Sequence, residues 1–133
     1  MNSKRPASDS GERAPEHETM IIDVHNHFYP PEYLKALGTL GSSVKVTSDA
    51  DGNPLVHYPG DYNILVKGHR DIAYRQEVMD AEGVDVQCIS LTTPGTHIEA
   101  PAVAAALATI TNDAFARIRD DRSGRFVPLA TLP

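Results

Sequence analysis

Met20-Ile21-Ile22-Asp23-Val24-His25-Asn26-His27-Phe28 reads as an apolar β-strand that ends in two histidines two residues apart. Side chains at i and i+2 of a strand share a face. His25 and His27 are therefore expected to converge, with Asp23 one step behind them on the same face. Two imidazoles at a strand end can chelate one divalent ion, zinc being the foremost candidate for such donors. The Asp23 carboxylate would then be placed to accept a ring N–H and fix a ligand's tautomer. Tyr29-Pro30-Pro31 stops the strand. A zinc site takes three or four protein ligands, so the pair is part of a site. The plain alternative is two polar side chains on a surface strand.

The rest of the chain supplies the setting. Its 133 residues fit one domain with a modest core. The net charge of −6 is spread among interspersed acids and bases, which points away from nucleic acid and from an anionic membrane as partners. No apolar run is long enough to span a bilayer, and no signal-peptide pattern opens the chain. The single cysteine, Cys88, fits a reducing cytoplasm and, inside Val86-Gln87-Cys88-Ile89, reads as a buried inert thiol. Residues 1–19 are charged, small or proline-rich, an expected disordered leader that includes His17.

After the first strand, residues 31–37 read as a short helix with proline in its first turn and Gly38 behind it. Residues 42–66 look like a small antiparallel insertion around the turn residues 49–53, with His57 as a strand-surface residue. Residues 71–82 predict a helix capped by Asp71 and stopped by Gly83, with Ile72, Val78 and Met79 on or near its buried face. A second strand is expected over 84–91. A long helix opens at Pro101 with an apolar stripe of Val103, Leu107, Ile110, Ala114 and Ile118. A third strand is expected over 126–132, presenting Val127, Leu129 and Thr131 on a bare edge. Strands alternating with helices imply parallel pairing, and in such folds functional groups sit at the C-terminal strand ends. His25 and His27 lie at that end of the first strand, and His97 follows the second.

The stretch from Ile22 to Pro31 resembles the opening strand of the amidohydrolase superfamily, in its amidohydrolase-related branch, which holds aminocarboxymuconate-semialdehyde decarboxylase and the resorcylate-type decarboxylases. Met79-Asp80-Ala81-Glu82-Gly83-Val84-Asp85-Val86-Gln87, running on to Ser90-Leu91 and Pro94-Gly95, is similar to that branch's first crossover helix and second strand. Asn112-Asp113 through Arg125-Phe126 to Leu129-Ala130-Thr131-Leu132-Pro133 is similar to its second helix and third strand. The likeness covers about residues 20–133.

The resemblance implies an α/β fold: the N-terminal part of a TIM-like (β/α)8 metal-dependent hydrolase barrel, with about three parallel strands and a small β-hairpin insertion after strand 1. It implies one divalent metal, most often zinc, with His25 and His27 as its first two ligands and Asp23 behind them. The family's remaining ligand histidines and its metal-bound aspartate follow later strands, and about 250 residues are typical of a whole barrel. The implied reaction is metal-assisted decarboxylation of a small aromatic or semialdehyde carboxylic acid. Hydrolysis of C–N or ester bonds at the same metal is the alternative within the superfamily. The branch holds its substrate carboxylate with a basic residue of the insertion, for which Lys45, Lys67 and Arg70 are candidates. Phe28, His69 and His97 are further candidates for the pocket. Metal phosphoesterases that also open with His-x-His fit the later matches less well. The chain alone is expected to be inactive, with a homo-oligomer or a complementing C-terminal half as its candidate partners. A non-catalytic α/β module is the reading from a different class.

Overall fold

The computed structural model describes residues 19–133. The leader expected over 1–19, with His17, lies outside the described residues except for Thr19. The elements run β1 (Ile22–His27), α1 (Pro31–Leu37), β2 (Lys45–Ser48), β3 (Pro54–Tyr58), β4 (Asp61–Ile64), a 3₁₀ turn (Lys67–His69), α2 (Ile72–Glu82), β5 (Val86–Ser90), α3 (Pro101–Asp121) and β6 (Phe126–Pro128).

Two three-stranded sheets result. The main one has the order β1-β5-β6 with both pairings parallel. The insertion forms an antiparallel meander β2-β3-β4. Helices α2 and α3 each carry the chain from one parallel strand to the next, as parallel pairing requires. Both pack on one face of the main sheet, where Phe28, Met79, Ile89, Phe115 and Phe126 form a buried cluster. A second cluster, with Tyr29, Tyr33, Leu37, Val56, Leu65 and Leu107, joins α1 and α3 to the insertion.

Local chemistry explains the boundaries. Asp71 caps α2 by accepting the Tyr74 N–H at 3.0 Å. Gly83 ends the helix at φ 71°, a left-handed conformation that suits glycine. On α3 the buried residues are Ala104, Leu107, Ala108, Thr111, Ala114 and Phe115, so the apolar stripe is broader than the expected one. On α2 the buried side chains are Arg75 and Met79, while Val78 is exposed. The expectation for Val78 is corrected by the helical geometry. Ile72, Arg75 and Met79 occupy positions i, i+3 and i+7, one helix face.

Strand β6 stops at Pro128 instead of continuing to 132. Leu129 still donates its N–H to the Ile89 carbonyl at 2.8 Å. Beyond it, Asn112 of α3 takes over the backbone of Thr131, donating to its carbonyl and accepting its N–H, each at 2.9 Å. A side chain therefore replaces the ladder.

Among the described residues, no helix covers the other face of the main sheet. Since Ile89 and Phe126 point to the helices, alternation turns Cys88, Ser90 and Val127 to this open face. Val127 and Leu129 are about half exposed, and Val24 on β1 is 72% exposed. Cys88 is half-buried and free, not the buried thiol expected. No helix among the described residues is long and apolar enough to cross a membrane.

Candidate metal-side cleft

The C-terminal end of β1 brings His25 and His27 together, their ring centroids 5.3 Å apart and their planes at 76°. Two imidazoles bound through one nitrogen each to a shared tetrahedral ion, at about 2.0–2.1 Å, place their centroids roughly 5 Å apart. The observed separation matches that spacing. His27 Nδ1 lies 2.9 Å from Ser90 Oγ, which also lies 3.3 Å from the Asn26 carbonyl. With its proton on Nδ1, the ring donates to Ser90 while Ser90 donates to Asn26, and Nε2 keeps its lone pair for a ligand. Burial holds the His27 ring below its ordinary pKa, and the charges of His25, His69 and Arg75 push the same way. The ring is thereby kept neutral, the form a metal needs. Among the described residues no group of three or more His, Cys, Asp or Glu side chains is placed to hold a metal. The donor set fits a metal but accounts for two of its ligands.

Asp23 is not where strict alternation puts it. Between Asp23 and Asn26 strand β1 takes three steps while β5 takes two, from Gln87 to Ile89. This irregularity turns the carboxylate away from the histidine rings. Its Oδ1 accepts the backbone N–H of His25 at 3.1 Å. Its Oδ2 accepts from the amides of Asn26 and Gln87, both at 3.1 Å. Asp23 thus supports the histidine pair through the His25 backbone, and the expected contact with a ring N–H is replaced.

Around His27 lies a cleft of about 320 Å³ lined by Tyr29, Tyr62, Asn63, His69, Thr92 and Thr93, among others. Three segments are tied together there. The Tyr29 hydroxyl donates to the Thr93 carbonyl at 2.6 Å. Asn63 of β4 donates to the same carbonyl at 2.7 Å and to the Tyr29 oxygen at 2.9 Å. Burial raises the Tyr29 pKa to about 12, against the opposing hydrogen bond from Asn63, so the phenol stays a donor at neutral pH. Tyr33 donates to the Gly95 carbonyl at 2.7 Å and fixes the loop after β5 to α1.

The remaining candidates separate. His69 is in the cleft: its ring lies 6.5 Å from that of Tyr29, and its Nδ1 is buried without a partner. His97 is exposed in the loop after β5 and does not line the cleft. Phe28 is 1% exposed on the helix side of the sheet, because it follows His27 by one residue and so takes the opposite face. Lys67 turns away toward α2, with its ammonium 4.6 Å from the Tyr74 ring centroid and 3.9 Å from Asp71. Arg70 donates to the Leu65 carbonyl at 3.1 Å and lines a groove on the helix side with Phe28. Lys45 stands on the exposed strand β2. Among the described residues no lysine or arginine lines the cleft, and Lys67 and Arg70 stand outside it. Tyr29, Asn63, Ser90 and Arg75 were not foreseen. Only Arg75 left a signal, as a charge at core spacing from Met79.

Comparison with known proteins adds the context. The chain is 32% identical over 114 residues to a decarboxylase of Aspergillus niger, covering 84% of this chain and 26% of that protein. It is 31% identical over 113 residues to 6-methylsalicylic acid decarboxylase of Penicillium expansum, covering 84% and 29%. It therefore spans under a third of the length of these curated relatives. Among solved structures it is similar to the apo IDCase of Metarhizium anisopliae, with a TM-score of 0.68 and 21% identity over 85% of this chain and 35% of that one. It also resembles 5-carboxyvanillate decarboxylase of Novosphingobium aromaticivorans, complexed with manganese and 4-hydroxy-3-methoxy-5-nitrobenzoic acid. There the TM-score is 0.60 and the identity 21%, over 90% and 35% of the two chains. No family model matches the chain.

Proposed function

We propose that the chain belongs with the decarboxylases of the amidohydrolase-related branch, and that its own share of the work is to present two ligands of a divalent metal and one wall of the pocket for a small aromatic carboxylic acid. The observation that carries this reading is the histidine pair. It stands on β1, at the C-terminal rim of a parallel sheet, in a chain similar to decarboxylases over most of its length. The structural neighbour that holds manganese supports a divalent metal, and two nitrogen donors make zinc our choice.

The metal would act as a Lewis acid toward the substrate's oxygen atoms. The residues of this chain position and shield. Ser90 hydrogen-bonds the His27 ring, and Asp23 holds the His25 backbone. Tyr29, Asn63 and Thr93 close the wall between the insertion and the strand ends. His69 adds an imidazole on the same side. In the overall reaction the bond between the ring and the carboxyl carbon breaks, its electron pair stays with the ring carbon, and a proton takes the place of CO₂. The group that delivers the proton and the basic clamp for the carboxylate would come from further strands of a barrel. Those strands would also cover the open face bearing Val127. The free Cys88 suits a reducing compartment such as the cytoplasm.

Zinc titration by calorimetry tests the metal reading. The chain should bind Zn²⁺ reversibly and lose it on dialysis. His25→Ala and His27→Ala should each weaken binding at least tenfold while the far-UV circular dichroism stays unchanged. A stoichiometric ion that survives dialysis and both substitutions would place the metal elsewhere and end this reading.

A further inference from the structure

We infer that Arg75 is a positioning residue of the metal-side cleft: from α2 it joins the end of β1 to the 67–69 turn and so holds His27 and His69 against the same space. The inference rests on the metal reading of the histidine pair. Arg75 is 9% exposed, yet it sits on the helix face that also carries Met79. Its guanidinium spans two separate segments. Nη2 donates to the His27 carbonyl at 2.7 Å and to the Gly68 carbonyl at 2.6 Å. Nε reaches the Gly68 carbonyl at 2.8 Å, and Nη1 donates to the Asn26 side-chain oxygen. The cation also lies 5.5 Å from the centroid of the Phe28 ring.

The choice of residue is informative. Burying a charge is costly, and an apolar side chain of similar volume often stabilises as well or better. Here the acceptors are two carbonyls and an amide, and the attraction of the Asp23 carboxylate offsets only part of the cost of burial. What the guanidinium supplies is a rigid planar fork that fixes its acceptors relative to one another, which an ammonium on a flexible stem cannot copy. Two of those acceptors flank the ligand position at 26 and 27, and the third adjoins His69. The turn is also pinned by the Tyr29 N–H, which donates to the His69 carbonyl at 2.8 Å. The fork and this bond together set where the His69 ring stands relative to His27.

The experiment compares Arg75→Lys with Met79→Ala, a core truncation on the same helix face whose side chain packs in the Phe28 cluster but hydrogen-bonds to neither segment. Zn²⁺ affinity is measured by calorimetry at matched folded fraction, and the histidine ring resonances are followed by NMR in the metal-free chain. Arg75→Lys should weaken Zn²⁺ binding about 10- to 100-fold, as loss of an outer support does, and should displace the ring signals of His27 and His69 together. Met79→Ala should lower the urea midpoint yet leave affinity within twofold and both rings in place. Asn26→Ala, which removes one acceptor of the fork, should move the same signals by less. Wild-type affinity and ring signals in Arg75→Lys would overturn the inference. So would equal weakening by Met79→Ala, or unmoved rings in Asn26→Ala should the lysine variant not fold. If zinc binding proves independent of His25 and His27, the metal reading fails, while the metal-free ring signals still decide the positioning role.

Discussion

Substituting Tyr29 and Asn63, singly and together, probes how the wall of the cleft is held. Tyr29→Phe removes a hydroxyl that donates to the Thr93 carbonyl at 2.6 Å and accepts from Asn63 at 2.9 Å. At about 1 kcal/mol net for each hydrogen bond, the loss is about 2 kcal/mol. Asn63→Ala removes the same Tyr29–Asn63 bond together with the bond to Thr93, again about 2 kcal/mol. The 3.2 Å approach to Thr93 Oγ1 adds little at a half-exposed rim. The two substitutions share one bond, so the double variant should lose about 3 kcal/mol instead of 4, a coupling of about 1 kcal/mol. Thr93 is exposed, so water replaces both donors at its carbonyl and no orphan penalty reverses the sign. Urea unfolding of the four chains at constant m-value measures the cycle. Strict additivity within about 0.3 kcal/mol, or a Tyr29→Phe loss below about 0.5 kcal/mol, would refute the claim that these bonds hold insertion, strand end and loop together.

Two further outcomes follow from single positions. Gly83→Ala should cost about 1 kcal/mol in urea unfolding: the residue sits at φ 71°, and an added Cβ meets nothing within 4 Å, so the strain is conformational alone. For His27, the ring resonances of the metal-free chain should titrate with a midpoint below the ordinary 6.5, because burial and then the neighbouring charges favour the neutral ring. Its folded-state pKa is depressed below the unfolded one, so the native state binds fewer protons through that interval. The group's stabilising contribution is complete above pH 6.5 and declines as pH falls toward the folded midpoint. A midpoint above 6.5 would contradict the burial and neighbouring charges described for this ring.

The element order and the parallel sheet were legible in the sequence because each rests on short-range signals. Asp71 and Gly83 mark the ends of α2, and Pro31 and Pro101 mark the starts of α1 and α3. The convergence of His25 and His27 was legible for the same reason, since it needs only two-residue alternation. What failed depends on long-range partners. Strand β6 is shorter than its apolar run because Asn112 on α3 captures the Thr131 backbone. Val78 is exposed because the buried face of α2 passes through Arg75, whose acceptors lie on β1 and in the 67–69 turn.

Asp23 shows most clearly why pattern reading stops short of a site. Alternation from His25 assigns its carboxylate to the histidine face, and it would hold if β1 paired regularly with β5. One irregular step between Asp23 and Asn26 reverses the assignment, and nothing in the residues of β1 announces it. The partner strand supplies the reason. Gln87 donates its amide to Asp23 Oδ2 at 3.1 Å, and Asn26 does the same from within β1. A carboxylate facing the rings would leave both amides without this acceptor and the His25 N–H without Oδ1. The irregular step thus satisfies three donors with one side chain and leaves both imidazoles free of a competing carboxylate contact. Ring nitrogens without a hydrogen bond are then open to the metal that we propose for this pair.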